Sequence, residues 1–470
     1  MERIETDYLI IGAGAMGLAF ADTLLEETDA RIVIVDRHGR PGGHWNDAYS
    51  FVALHQPSAY YGVNSLPLGD GRKDVDGPNA GLHELASGAD VSGYFNRVMQ
   101  QRLLPSGRVV YRPMSEHVGD GRIVSQLSGR ETAVTVRRRT VDATWFATAV
   151  PATHTPRFEI APDVRLIPPN GLPDLWKSRA RPAAFVVLGA GKTAMDTCVW
   201  LLGAGAPADR IIWVMPRDSW LLNRRNTQPG VEFFFDTFGA QAAQMEACAA
   251  ATSARDLFHR LEAAGVVMRI DPTREPSMFH YATISHGEVE MLATITNVVR
   301  EGRVRRVEPD KLVFDQARVS VPEGSIFIDC TASAVEPRPS KPIFEPGLIT
   351  LQMVRVPQPT FSAALLAFLE ARIDDDAARN ALAVPLKIPE TLEDFPACVL
   401  GNMINQFSWS QHPRVRDWIT QSRLDGFGKV LAAIAPDDAD KRAVLKRLRA
   451  AAPAAMNNLR SLMDAAASAA

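Results

Sequence analysis

Two short glycine-rich stretches hold the residues whose types and spacing carry the clearest chemistry. In YLIIGAGAMG, residues 8–17, Gly12, Gly14 and Gly17 follow an apolar run, and Asp36 with Arg37 stands nineteen residues beyond Gly17. In FVVLGAGKTA, residues 185–194, Gly189 and Gly191 recur with Ala194 in the third place, and Arg217 lies downstream. In a G-x-G-x-x-[GA] turn the first glycine permits the reversal and the second lets a pyrophosphate approach the backbone. A small third residue lets the following helix pack on its strand, and the anion rests on the helix N-terminus. The Gly-Lys-Thr of the second copy invites a triphosphate loop, GxxxxGK[ST], but that pattern needs glycine where Val186 stands. The triphosphate reading is excluded.

The residue after the next strand separates the two copies. Asp36 can accept hydrogen bonds from the hydroxyls of a plain adenosine ribose. The second copy ends its strand in Pro216-Arg217-Asp218. An arginine there pairs with a 2′-phosphate, and Lys192 and Thr193 add polar groups to the turn, so this copy reads as an NADPH site. Asp218 keeps NADH open as the alternative.

Each turn demands a strand before it and a helix after it. The spacing predicts strands at Tyr8–Ile11 and Arg31–Val35 around a helix ending near Glu27, then strands at Phe185–Leu188 and Arg210–Met215 around a second helix. The repeat continues as GRVVYRPM, AVTVRRR and VDATWFATA in the first half, and as GRVRRV, KLVFDQARVSV and IFIDCTASA in the second. Each half reads as a βαβ unit carrying an antiparallel β-meander, closed by a strand that returns to the parallel sheet. Val141-Asp142-Ala143-Thr144 and Ile328-Asp329-Cys330-Thr331 take equivalent places. Two dinucleotides in one chain suit the passage of a hydride between them.

The whole chain fits this α/β reading. Its 470 residues suffice for two or three domains, 46% hydrophobic and 22% charged residues are ordinary for a globular protein, and a net charge of -3 points to no nucleic-acid partner. Four scattered cysteines, with no CxxC and no metal-ligand spacing, read as reduced thiols in the cytoplasm without a metal site. No signal peptide and no bilayer-spanning run is seen. A homodimer is one expected assembly.

Downstream of Asp36 stand RPGGHW (Arg40–Trp45) and FVALHQPSAYYGVNS (Phe51–Ser65). With GAGAMG before them and the later GAG with its trailing arginine, the chain resembles the class B flavin-dependent monooxygenases over residues 1 to about 335. The resemblance implies a glutathione-reductase-like FAD domain, residues 1–165 and 325–400, with an inserted NADPH domain, 166–324. A substrate loop and helical segment follow at 401–470. It implies that Gly43, His44 and Trp45 line the flavin. It also implies that a helix starting near Thr360 aims its N-terminus at the flavin ring, with Phe361, Ser362 and Gln352 close by. The activity implied is NADPH- and O₂-dependent insertion of one oxygen atom, through a flavin C4a-(hydro)peroxide, into a small N- or S-containing nucleophile or an aromatic substrate. Asn64 falls beside that peroxide, and His55 and Gln56 contact the flavin edge or the nicotinamide, with a backbone-satisfied core role as the alternative for His55.

Two departures qualify the match. The usual glycine is missing from DATWF and DCTAS, and the ketone-oxidising fingerprint FxGxxxHxxxW fails at Thr148 and Ala152. An N- or S-oxidising enzyme is therefore expected over a ketone-oxidising one. A disulfide reductase would need a cysteine pair beside the flavin, and none is supplied. A flavin dehydrogenase or oxidase without oxygen insertion, and a non-catalytic FAD/NADPH-binding redox sensor, remain open. Outside the core, Arg224–Gly265 reads as a helical insertion and Gly401–Trp418 as a substrate loop or domain contact. From Lys429 the chain reads as an exposed helix pair.

Overall fold

β1 (Glu2–Ile11) ends in Tyr8, Leu9 and Ile10, all buried, without the alternation of a one-faced strand. Such a run belongs in a parallel sheet covered on both faces. In the computed structural model, which describes residues 2–175, 177–178 and 181–469, β1 pairs in parallel with β2 (Ile32–Val35). α1 (Ala15–Glu27) connects them. The eight-stranded sheet continues on one side through β3 (Val109–Arg112), parallel to β2. On the other side stand a long strand, β6 (Glu131–Asp142), and the late strands Leu348–Thr350 and Phe344–Glu345. The Pro359–Arg372 helix, apolar all round, lies buried beside α1 in the same core.

Two expectations about the first half are corrected. GRVVYRPM does not start an antiparallel meander, because β3 pairs in parallel with β2 at Ile32↔Val109. AVTVRRR and VDA are one strand. Neither Gly nor Pro interrupts residues 131–142, so β6 runs 12 residues without a turn. Its start pairs antiparallel with β5 (Arg122–Ser125), itself a hairpin with β4 (Ser115–His117), while its whole length pairs in parallel with β1.

The second sheet has five strands, all parallel, in the order Val298–Val299, Ile211–Val214, Phe185–Leu188, Ile326–Asp329, Leu166–Ile167. Its meander, Arg306–Glu308, Lys311–Val313 and Arg318–Ser320, forms a separate sheet that Glu159–Ile160 joins. The chain thus enters the second unit at 159, ahead of the expected boundary. Helices Phe234–Ala250 and Ala254–Ala263 fill the predicted insertion. The expected terminal helix pair is instead the short Phe427–Ala432 helix followed by one helix of 31 residues, Ala439–Ala469, with Pro453 inside it. It is no loose surface element: Ala455 and Leu459 are fully buried in a core shared with Cys248 and Leu257. Small alanine side chains let the helices approach closely. Among the described residues no helix is long and apolar enough to cross a membrane, the four cysteines are free and buried, and no group of ligands could hold a metal ion.

Candidate functional site

The two glycine turns are built alike. Gly12, at φ +104, donates from its N–H to Val35 O (2.8 Å), and Gly189, at φ +126, donates to Val214 O (3.0 Å). Behind each lies an Asp-x-Thr turn. Asp142 Oδ1 accepts from Thr144 N (2.8 Å) and Oγ1 (2.6 Å), and Asp329 Oδ1 accepts from Thr331 N (2.9 Å) and Oγ1 (2.6 Å). Against these turns a methyl on Gly12 would lie 3.2 Å from Thr144 Cγ2, and one on Gly189 would lie 2.7 Å from Cys330 O. The two helices that follow have glycine N-caps, Gly14 and Gly191, with no side-chain cap. Their first N–H groups are open to an anion.

In the first turn the chain at GGHW closes over the loop. Gly42 N donates to Ala13 O (2.8 Å), and a methyl on Gly43 (φ +57) would stand 2.9 Å from Gly14 Cα. Trp45 donates from Nε1 to Tyr61 Oη (2.9 Å), and His44 stacks on Trp45 at 5.5 Å between centroids. Burial pushes His44 down to about 4, so its ring is neutral at pH 7. Asp36 is buried and already accepts from Ala13 N (2.6 Å), His38 N (2.7 Å) and the His38 ring (2.8 Å). A carboxylate has about four acceptor sites, so about one remains for a ribose hydroxyl. His38, unremarked in the sequence, bridges Asp36 to Asp47 at 2.9 Å. Arg37 is exposed.

In the second turn a methyl on Gly191 would meet nothing within 4 Å. At the end of the next strand Asp218 is taken by Arg300 through two hydrogen bonds (3.0 and 3.1 Å). Arg217 is largely exposed, and its partial desolvation together with the charge of Arg303 lowers its pKa against the pull of Glu390. Among the described residues no carboxylate pairs with it. Lys192, in contrast, turns away from the loop mouth: its ammonium sits between Asp196 and Glu288 (3.1 Å to the latter), and its side chain is only 10% exposed.

That lysine belongs to a polar seam between the two units. Asp196, one helical turn after Lys192, accepts from Tyr49 Oη (2.8 Å) and stands 3.4 Å from His55 Nε2. Thr193 lies beside the same tyrosine hydroxyl. Glu288 accepts from Arg224 Nη1 (2.5 Å) and Ser285 N (2.8 Å), while Arg224 also donates to His55 O (3.1 Å) and Asn79 Oδ1 (3.1 Å). Burial is the largest single influence on the two carboxyls and raises both, but Lys192, the other cations beside them and their hydrogen bonds together outweigh it. Asp196 is held well below the usual carboxylate range, and Glu288, with Arg224 adding to the effect, is brought down to about 2. His55 is lowered by burial and by Lys192, against the pull of Asp196. Gln56 is half-buried next to it, and among the described residues nothing hydrogen-bonds its amide.

Other expected site residues are placed elsewhere. Asn64 accepts from Ser422 Oγ (2.9 Å) and lines a cavity of about 510 Å³ with Asp22, Thr23, Arg102 and Trp418. Asp22 is eight residues past Gly14 along α1, about 12 Å at 1.5 Å per residue. Among the described residues no hydrogen bond joins Asn64 to His55 or Gln56, and neither lines its cavity. Gln352 is buried and clamps Lys341 O (2.8 Å); Phe361 is fully buried beneath the Arg355 guanidinium at 3.7 Å. Ser362 accepts from Val354 N and Arg355 N, both at 3.2 Å. All three hold the strap before the Pro359 helix. The 401–418 segment is helical, in Phe395–Gln411 and Pro413–Gln421, and Asn405 donates to Val354 O and Val384 O while Trp409 donates to Leu382 O. Missed altogether was Arg423, whose guanidinium donates to the carbonyls of Ala59, Tyr61 and Val63 and so braces the loop after His55.

The fold is two units built around parallel strands, each with an uncapped glycine turn at the start of a helix. Residues 10–67 match the NAD(P)-binding Rossmann-like domain family. Among solved structures the polycyclic ketone monooxygenase of the fungus Thermothelomyces thermophila is 12% identical, with 97% of this chain and 89% of that one covered at a TM-score of 0.52. A flavin-containing monooxygenase of Stenotrophomonas maltophilia is 14% identical, with 78% and 98% covered at a TM-score of 0.47. The chain belongs to the family of the uncharacterized Mycobacterium tuberculosis protein Rv2000. The two are 45% identical over 465 residues, which span 99% of this chain and 86% of that protein.

Proposed function

We propose that the protein is an FAD- and NADPH-dependent monooxygenase, with FAD on the first unit and NADPH on the second, acting on a small N- or S-containing nucleophile or an aromatic compound. The observation that carries this reading is the pair of uncapped helix N-termini, at Gly14 and Gly191, in two units whose facing loops meet at the His55 seam. The residues present fit both groups. The N–H groups after Gly14 and Gly191 would hold the two pyrophosphates, Asp36 a ribose hydroxyl, and Gly43, His44 and Trp45 one side of the flavin. Arg217, which no carboxylate pairs with among the described residues while Arg300 occupies Asp218, supports NADPH over NADH. When bound, the flavin would supply the redox chemistry, accepting a hydride from NADPH and activating O₂. The chain's own share is to exclude water and to contact the flavin edge or the nicotinamide amide through His55 and Gln56.

A second reading, an NAD(P)H oxidase or dehydrogenase without oxygen insertion, is favoured by one observation. Asn64, expected to steady the oxygen chemistry, accepts from Ser422 and lines a cavity whose lining includes neither His55 nor Gln56. The test is to purify the yellow protein and measure H₂O₂ released per NADPH oxidised across a panel of amines, thioethers and phenols. A ratio that falls with one class, as an oxygenated product rises, supports the monooxygenase. A ratio fixed near one with every compound sinks it in favour of the oxidase.

A further inference from the structure

The seam contains a closed circuit of charges around one histidine. His55 is held at both ends by the second unit: its ring faces Asp196 at 3.4 Å, and its carbonyl accepts from Arg224 at 3.1 Å. Those two grips are themselves joined through Lys192 and Glu288. The circuit Asp196–Lys192–Glu288–Arg224 has two anions and two cations, so it sums to zero. All four side chains are at most 13% exposed, whereas the His55 side chain is 41% exposed. A neutral, dry frame thus presents one imidazole to an opening.

The geometry points to Asp196 as a positioning residue that holds His55 with its proton on Nε2, leaving Nδ1 free to accept a proton at the domain seam. An imidazole edge facing an ionised carboxylate presents an N–H rather than a lone pair, since two electron-rich atoms would repel. Lys192 keeps that carboxylate ionised, and the Tyr49 hydroxyl, donating to the same Oδ2, keeps it from rotating away. The charged and titratable groups facing the ring are therefore Tyr49, Lys192, Asp196, Arg224 and Glu288. Among the described residues no group bonds Nδ1. Resting on the proposed oxidation, this gives His55 a task. An amine that arrives as its ammonium must lose one proton before its nitrogen lone pair can attack. Nδ1 takes that proton, and the nitrogen keeps the electron pair of the broken N–H bond. The same circuit explains why Lys192 follows Gly191 directly: it fixes the carboxylate one turn later on the same helix, not an incoming phosphate.

The experiment is ¹⁵N-histidine NMR on the whole purified protein from pH 4.5 to 9, with His55→Gln identifying the resonances. Wild type should show Nε2 protonated and Nδ1 not. Asp196→Asn removes an anion and should lower the His55 pKa by about one unit, while mixing the tautomers. Lys192→Met removes a cation and should raise it by about one unit. Tyr49→Phe, the variant safest for folding, frees a lone pair on Asp196 and should move it in the same direction as Lys192→Met. An Nδ1-protonated wild-type ring, or titrations that coincide in wild type, Lys192→Met and Tyr49→Phe, overturns the assignment. No substrate enters this measurement, so it separates two failures. The predicted tautomer without any amine or sulfur oxidation leaves the positioning role standing and removes the monooxygenase; oxidation with unmoved titrations does the reverse.

Discussion

Gly17 faces Gly12 so closely that a methyl at 17 would lie 2.0 Å from the Gly12 carbonyl oxygen. The dinucleotide turn admits alanine in its third place, and the second copy uses it at Ala194, but the first copy cannot. Gly17→Ala must push α1 off β1, and overpacking of that kind costs about 3 kcal/mol. A denaturant titration should show the loss, and unchanged stability would mean that the helix start yields freely.

Gly191 is the opposite case, since a methyl there meets nothing within 4 Å. Gly191→Ala should fold and melt like wild type. It should bind NADPH at least about tenfold more weakly, because the methyl occupies the space a pyrophosphate needs. Isothermal titration with NADPH tests this, and undiminished affinity would move the nucleotide away from this turn.

Arg217→Ala should reduce NADPH affinity by about 2 kcal/mol, the scale of one charge-assisted contact, while leaving NADH nearly unchanged. The comparison of the two nucleotides is the measurement. Equal losses would make Arg217 a structural residue.

What could be read from the sequence was whatever short segments determine. The glycine spacing, the strands before it and the repeated Asp-x-Thr after each meander are local, and each recurs at equivalent positions in the structure. What escaped was pairing over distance. Lys192 looked like a phosphate ligand because Glu288, 96 residues away, leaves no trace near it. Tyr49 and Asp196 are 147 residues apart. Asn64 comes beside the oxygen chemistry only through the family resemblance, whereas its amide accepts from Ser422, 358 residues further along.

Arg423 illustrates the same distance in stability terms. Its guanidinium, 360 residues along the chain from Val63, satisfies three carbonyls of a loop with no ladder of its own. Arg423→Ala leaves those acceptors without donors and should cost about 3 kcal/mol. Limited proteolysis should then cut within residues 57–65 before the rest unfolds. Wild-type resistance there would show that the brace is redundant.

The seam also makes stability depend on acid in a defined window. Glu288, although buried, has its carboxyl brought down to about 2 by Lys192 and Arg224, from an ordinary value of 4.5. A depressed carboxylate stabilises the fold fully above its unfolded pKa and loses that contribution as pH falls toward the folded one. Stability should therefore be flat in this term above about pH 5 and decline between about 4.5 and 2. At about 1.4 kcal/mol per unit, the contribution is about 3 kcal/mol. Asp196, depressed for the same reason, adds to the slope in the same direction. Glu288→Gln keeps the shape but removes the titrating group, so its denaturant midpoint should be lower than wild type at pH 7 and should converge with it as pH falls below 4. Parallel curves for the two proteins across that range would show that Glu288 is not ionised against Lys192 and Arg224 in the folded protein.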